Sequence, residues 1–210
     1  MQHQKTYHQE ILTLNDRKIV IEGPVSSDTL KTYSFDDGLD AFRRPKDQFE
    51  AILEIADLDE GRIIIAREDD RIIGYVTYHY PDELERWSDG NLPYLIELGA
   101  VEISLGYRSG GIGKNLIQLT MEDSFVENYI IITTEYYWHW DLKNNSLSVY
   151  EYKDMMINLM ASAGFEVFQT NDPEITAHPA NTLMARIGKN IKREQTMAFD
   201  KIRFKDRFFF

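Results

Sequence analysis

The sequence predicts an α/β (α+β) protein with a mixed central sheet of about seven strands and about four helices. Three observations predict it. Apolar runs with strand periodicity alternate along the chain with runs at helical spacing. Residues 95–134 read strand, glycine turn, helix, strand, the layout of a right-handed parallel crossover. Residues 62–81 read as two strands joined by the acidic turn Glu68-Asp69-Asp70, an antiparallel hairpin. A chain with both kinds of connection builds a mixed sheet.

Each element has its own signal. Residues 17–22, "RKIVIE", alternate and stop at Gly23-Pro24, which suits an opening strand. Ser26 or Ser27 caps a short helix that reaches about Tyr33. Pro45 suits the first position of a helix over 45–57, with Phe49, Ile52, Leu53 and Ala56 on one face. After the hairpin, "LIELGAVEIS" (95–104) is a buried strand. Residues 111–126 carry Ile112, Leu116, Ile117, Thr120, Met121 and Phe125 at helical spacing. A β-rich run follows at 129–137, then a helix over 147–162 ended by Gly164. "FEVFQT" and "LMARIG" read as closing strands, with Pro173 and Pro179 in the loop between them. No repeat or linker interrupts the chain, so residues 1–210 read as a single domain with 189–210 as a basic, aromatic C-terminal extension. From Arg186 to Arg207 there are eight Lys/Arg against three acids, and this segment reads as an amphipathic helix or strand that docks its phenylalanines.

Composition narrows the function classes. The net charge of −12 disfavours nonspecific nucleic-acid binding. No apolar run approaches the roughly 18–20 residues of a membrane span, and the N-terminus lacks a signal-peptide layout. By elimination the expected compartment is the cytoplasm. The absence of cysteine removes disulfides, thiolate metal sites and a cysteine nucleophile. His79, His139, Asp141 and His178 show no ligand spacing, so no metal is expected. No serine sits in a nucleophile elbow, which argues against a hydrolase.

The densest signal is "RSGGIGK", residues 108–114. A Walker A loop would need glycine at 108 and Ser/Thr at 115, where Arg108 and Asn115 stand. A dinucleotide fingerprint from Gly111 would need glycine at 116, where Leu116 stands. The pattern that fits is Arg108-x-x-Gly111-x-Gly113, placed between a strand and a helix. A helix N-terminus presents unpaired N–H groups and partial positive charge. Glycines let a pyrophosphate approach those N–H groups, and Arg108 and Lys114 add full charges.

On that motif and the order of elements over residues 17–188, the chain resembles the GNAT superfamily of acyl-CoA-dependent N-acetyltransferases. The resemblance implies acetyl-CoA as co-substrate. Residues Arg108, Ser109, Gly110, Gly111, Ile112, Gly113 and Lys114 would hold its pyrophosphate, and backbone groups near Ile103 and Leu105 its pantetheine arm. It also implies that strands 95–104 and 129–134 splay apart to admit that arm. "IEGPVS", "GYVTYHYPDELERWSDGN", "LIELGAVEIS", "TTEYYWHWDLK" and "HPANTLMARIGKN" further resemble a narrower family, the acetoin utilization acetyltransferases of Bacillus-type bacteria. That resemblance implies a protein-lysine acceptor on acetyl-CoA synthetase, which acetylation switches off.

A lysine ammonium, with an unperturbed pKa of about 10.4, must lose a proton before it attacks a thioester. Two carboxylates on strand 95–104 are candidates, Glu97 and Glu102. Five residues apart, they point to opposite faces of a regular strand, Glu97 with Gly99, Val101 and Ile103. Counted from Arg108, Glu97 falls where the resemblance places a base glutamate, so it is preferred, with Glu102 second; a β-bulge would exchange them. Either could instead be a buried structural carboxylate. The family's usual tyrosine acid position holds Met160; Tyr136, Tyr137, Tyr150 and Tyr152 are the remaining phenols nearby in sequence. Glu135, Tyr136, Tyr137, Trp138, His139 and Trp140 read as a wall for the acceptor lysine stem, or as an aromatic mini-core under the next loop. "HPAN" (178–181) reads as a turn or an acceptor contact. The lead reading is direct acetyl transfer to a protein lysine. Its alternatives are a small-amine or polyamine acetyltransferase and a non-catalytic acyl-CoA-binding regulator.

Overall fold

A computed structural model describes residues 1–205; Asp206, Arg207 and the last three phenylalanines of the expected extension lie outside the described residues. The described residues cluster into two compact units. One holds Gln2–His79 and Leu98–Val126; the other holds Met1, Tyr80–Glu97 and the chain from Glu127 onward.

In chain order the first unit contains β1 (His8–Leu14), β2 (Arg17–Gly23), α1 (Ser27–Leu30), β3 (Ser34–Phe35), α2 (Pro45–Asp57), β4 (Arg62–Glu68) and β5 (Arg71–His79). It also holds the second half of β6 (Leu95–Ile103), from Leu98, and α3 (Ile112–Thr120). Strands β1, β2, β4 and β5 are neighbours in that order, all antiparallel, and β3 adds to β5 in parallel. Ile63, Ile65, Ile72 and Tyr75 from the sheet meet Leu30, Leu39 and Ile52 in one core; all are at most 1% exposed. Helix α2 starts at Pro45, whose missing N–H costs nothing in a first turn, and lays Phe49, Ile52, Leu53 and Ala56 against that core. Helix α3 packs on β1, β2, β4 and β5.

Two features of this unit differ from the sequence expectation. Strand β1 was not expected, because its residues present no continuous apolar face; it is an edge strand, mostly exposed or half-buried. Its signal lay in Asn15-Asp16, both at positive φ, the two-residue turn that joins right-twisted strands. Helix α3 ends at Thr120 rather than at 126. Asp123 takes the N–H of Phe125 on one carboxylate oxygen (3.0 Å) and the N–H of Thr6 on the other (3.2 Å). That second oxygen also lies 3.5 Å from the fully buried Arg62 guanidinium. These partners hold the chain in a turn where helical periodicity alone would continue.

The second unit contains the first residues of β6 (Leu95–Glu97), then β7 (Ile130–Glu135), α4 (Val149–Ala161), β8 (Glu166–Phe168), α5 (Pro173–Thr176), β9 (Thr182–Ile187) and α6 (Arg193–Arg203). Strand β7 runs parallel to β6 and antiparallel to β9, and β8 pairs with β9. The β6–β7 register comprises Leu95–Ile130, Ile96–Ile131 and Glu97–Ile132, and Glu97–Ile132 is its last pair. Trp87, Leu95, Ile130, Ile132, Leu183 and Ala185 form the core with Phe199 and Ile202 of α6. The basic C-terminal segment is thus a helix, not a strand, through residue 203, and its buried face is what docks it. Helix α4 opens with a reciprocal cap between Ser148 and Glu151. Helix α5, where a loop was expected, is a single turn capped by Asp172.

The described residues make nine strands in a mixed sheet and six helices. The additions to the expected set are β1, β3 and α5, each too short or too polar to carry a periodic signal, while α6 is the helix alternative of the C-terminal reading. No helix among the described residues is long and apolar enough to cross a membrane.

Candidate active site

In the first unit, β6 leaves the sheet after Ile103, and the Ser104 N–H still bonds the Ile73 carbonyl (2.9 Å). A single 3-10 turn, Leu105–Tyr107, leads into the glycine run. Ser109 (φ +65°) and Gly111 (φ +78°) take left-handed backbone, and α3 begins at Ile112. The first helical bond runs from Asn115 N–H to the Gly111 carbonyl (3.0 Å), so the N–H groups of residues 112–114 have no partner within the helix. No side chain caps them. A Cβ built on Gly111 meets only Asn115 Nδ2, at 3.7 Å, so the ground before these N–H groups is open. Lys114 and Ser109 are exposed and Gly113 half-exposed. Arg108 folds back to donate through Nε to the Ile103 carbonyl (2.9 Å). Leu105 is exposed, and its carbonyl accepts the Arg108 N–H. Gly110 packs on the β1–β2 hairpin: a Cβ there would lie 2.5 Å from a Leu14 methyl. Open donors at a helix N-terminus, a left-handed glycine and two cationic side chains suit an anionic ligand.

Glu102 belongs to the same unit and is buried (4% exposed). Oε1 accepts the Ala41 N–H (2.7 Å) and Oε2 accepts the Tyr75 hydroxyl (2.5 Å), so both oxygens are engaged. Burial pushes its carboxyl above the usual range, against these two donors. Nearby, Asp36 Oδ1 accepts from Ser104 Oγ (2.7 Å) and Gly38 N–H (2.9 Å). Together these bonds pin loop 36–41 to the end of β6. Tyr75→Phe should therefore destabilise the fold by about 1–3 kcal/mol in urea unfolding, because it strips a buried carboxylate of one donor. Coenzyme affinity should be unchanged in the same variant.

Glu97 lies in the second unit and is 7% exposed. It occupies the last registered position opposite β7, on the face it shares with Leu95, whose neighbours are Ile130 and Ile132. Thr134 stands two residues past Ile132 on that face, and its hydroxyl donates to Glu97 Oε1 (3.1 Å). The Glu97 carboxyl is pushed up to about 8, chiefly by burial and further by the negative charges of Glu85 and Asp82; the Thr134 bond works against this rise.

The aromatic stretch follows directly on β7. Tyr136 stacks on Trp138 with centroids 4.8 Å apart, and Trp140 stacks on Tyr152 of α4 (5.1 Å). Glu135 accepts from Trp140 Nε1 (3.0 Å), and burial raises its carboxyl. Tyr137 packs against His178 (4.2 Å), and its N–H bonds the Asn181 side chain (3.1 Å). The 178–181 segment is a turn that backs the aromatic stretch from behind, with Ala180 N–H donating to His178 Nδ1 (3.1 Å). Trp138 and His139 are exposed, so the stretch is part packed and part presented to solvent. Burial, reinforced by Asp172 and Glu174, pushes the Tyr136 hydroxyl above the ordinary phenol range. Met160 is fully buried. Sequence reasoning did not single out Thr134, because a threonine marks no site until the strand register is known.

A strand that passes into an uncapped glycine turn and helix, with a buried carboxylate on the same strand, defines a class. The chain belongs to the acetyltransferase (GNAT) family, which it matches over residues 29–145, and it is an acetyltransferase. It is 53% identical over 210 residues to the acetoin utilization protein AcuA of Bacillus licheniformis, and 51% identical to that of Bacillus subtilis. Both alignments cover the whole of both chains. Its fold superposes on the crystal structure of an acetoin utilization protein from Exiguobacterium sibiricum with a TM-score of 0.95 and 51% identity, covering 98% of this chain and 97% of that one.

Proposed function

We propose that this acetyltransferase moves acetyl from acetyl-CoA to a lysine ε-amine of a protein, that the protein is acetyl-CoA synthetase, and that the modification inactivates it during acetoin and acetate metabolism. The observation that carries the coenzyme half of this reading is the open, uncapped turn before α3, with Gly111 at φ +78°. Residues 108–114 hold the pyrophosphate through the N–H groups of the first helical turn, with Arg108 and Lys114 adding charge. The names of the full-length relatives support the metabolic setting.

On the acceptor side Glu97 is the base. Its burial and the negative charges of Glu85 and Asp82 keep its proton affinity high, which suits a group that must take a proton from an ammonium. The acceptor nitrogen gives one proton to Glu97, and its lone pair forms the C–N bond at the thioester carbonyl. The C–S bond then breaks, and the thiolate leaves with its electron pair. The second proton of the former ammonium neutralises that thiolate, and Glu97 returns its own proton to solvent. With no cysteine in the chain, an acyl-thioenzyme is not available, so transfer is direct within a ternary complex. Glu102, with both oxygens engaged, serves loop 36–41 rather than the chemistry. Tyr136 and Trp138 line the approach of the lysine stem, and the exposed acids Asp82, Glu85 and Glu174 favour a basic surface around the target lysine. With that acceptor, the protein works in the cytoplasm.

Thiol release from acetyl-CoA tests the reading with three acceptor conditions: acetyl-CoA synthetase, spermidine, or none. Release only with the synthetase, together with loss of synthetase activity, supports it. Release with spermidine alone replaces it with small-amine acetylation. Tight coenzyme A binding without release in any condition replaces it with a regulatory role.

A further inference from the structure

We propose that the Thr134 hydroxyl is a positioning group for the reaction: it holds one oxygen of Glu97 and leaves the other for the acceptor ammonium. The proposal rests on the reading of Glu97 as the base.

The geometry has three parts. The parallel β6–β7 register stops at Glu97–Ile132, so Thr134 is the first residue on the same face of β7 beyond the last pair. From there its hydroxyl reaches Glu97 Oε1 at 3.1 Å. Among the described residues no other protein donor bonds this carboxylate, so Oε2 stays uncommitted. The contrast with Glu102 is direct: there two donors occupy both oxygens, and here one donor occupies one.

The surroundings make that single bond consequential. Leu95, Ile130 and Ile132 supply an apolar floor below Glu97. Among the described residues the charged groups that raise the Glu97 carboxyl are Glu85 and Asp82 from the segment before β6, both acidic. Among the described residues Thr134 is the group that favours the ionised base, and a hydroxyl does so without adding a charge that would repel the ammonium. Thr134 also acts on the Tyr136 hydroxyl, which ties the aim of Glu97 to the first ring of the acceptor wall.

Thr134→Val keeps the shape and removes the donor. Two readouts are compared across wild type, Thr134→Val and Thr134→Ser. One is the titration of Glu97 by carbon-13 NMR of glutamate-labelled protein, assigned with Glu97→Gln. The other is the acid limb of the kcat–pH profile with the protein acceptor. We expect valine to raise both midpoints by about one pH unit, so that turnover at pH 7 falls roughly tenfold, and serine to restore both. Thr134→Ala gives the same measurement should the second valine methyl crowd β7. A Glu97 midpoint unchanged in the variants lacking the hydroxyl overturns the proposal. A midpoint that moves while the acid limb stays overturns it differently: the bond is real, but Glu97 is not the base.

Discussion

Gly111→Glu is expected to abolish coenzyme A binding, read by calorimetry as the loss of any saturable heat. Two effects act together. Gly111 sits at φ +78°, where an L-residue pays about 1–2 kcal/mol. More important, a carboxylate would lie beside the N–H groups of the first turn of α3, compete for them and repel a diphosphate. Gly111→Ala separates the two. Its Cβ meets only Asn115 Nδ2, at ordinary contact distance, so alanine carries the backbone cost without bulk or charge. Alanine should weaken binding modestly and glutamate should eliminate it. A glutamate variant that binds within twofold of wild type would refute the assignment of residues 108–114 to the pyrophosphate.

The second large effect is on turnover. Glu97→Gln should slow acetyl transfer by roughly 100-fold or more, the usual consequence of removing a general base, with coenzyme affinity nearly unchanged. In the wild type, with the Glu97 carboxyl pushed up to about 8, turnover should rise with pH until it levels off above that value. The glutamine variant should lose this limb. Stability carries the same signature with a definite sign. The folded-state value lies above the ordinary carboxylate value of 4.5, so between about 4.5 and about 8 the native state holds a proton that the unfolded chain has released. Wild-type stability therefore falls as pH rises across that window, and Glu97→Gln lacks this contribution. Urea midpoints at pH 5 and pH 9 should show the variant gaining on wild type at the higher pH. Equal turnover in the two proteins would remove Glu97 from the chemistry.

The sites differ in how far they could be read before the fold was known. The glycine turn is contiguous, and its parts act locally: glycine allows the left-handed backbone, and the helix that follows supplies the open N–H groups. The acceptor side is not contiguous. Alternation along β6 separates Glu97 from Glu102 by face, but cannot say which of them has an oxygen to spare. That depends on Thr134 and on Ala41 and Tyr75, which lie 37, 61 and 27 residues away in sequence from the carboxylates they bond. Likewise, Asp123 looks like one more polar position in a helix until Thr6 and Arg62 are seen to claim it.

By itself the sequence determined the order of the main strands and helices, the glycine turn that opens a helix, and the absence of a cysteine nucleophile. These follow from short-range properties: side-chain periodicity, backbone freedom and residue type. Only the tertiary structure decided where α3 stops, that the basic C-terminal run is a helix through residue 203 and which β6 glutamate has both oxygens engaged. Each of those outcomes depends on burial and on hydrogen-bond partners brought in from distant parts of the chain, which no local pattern encodes.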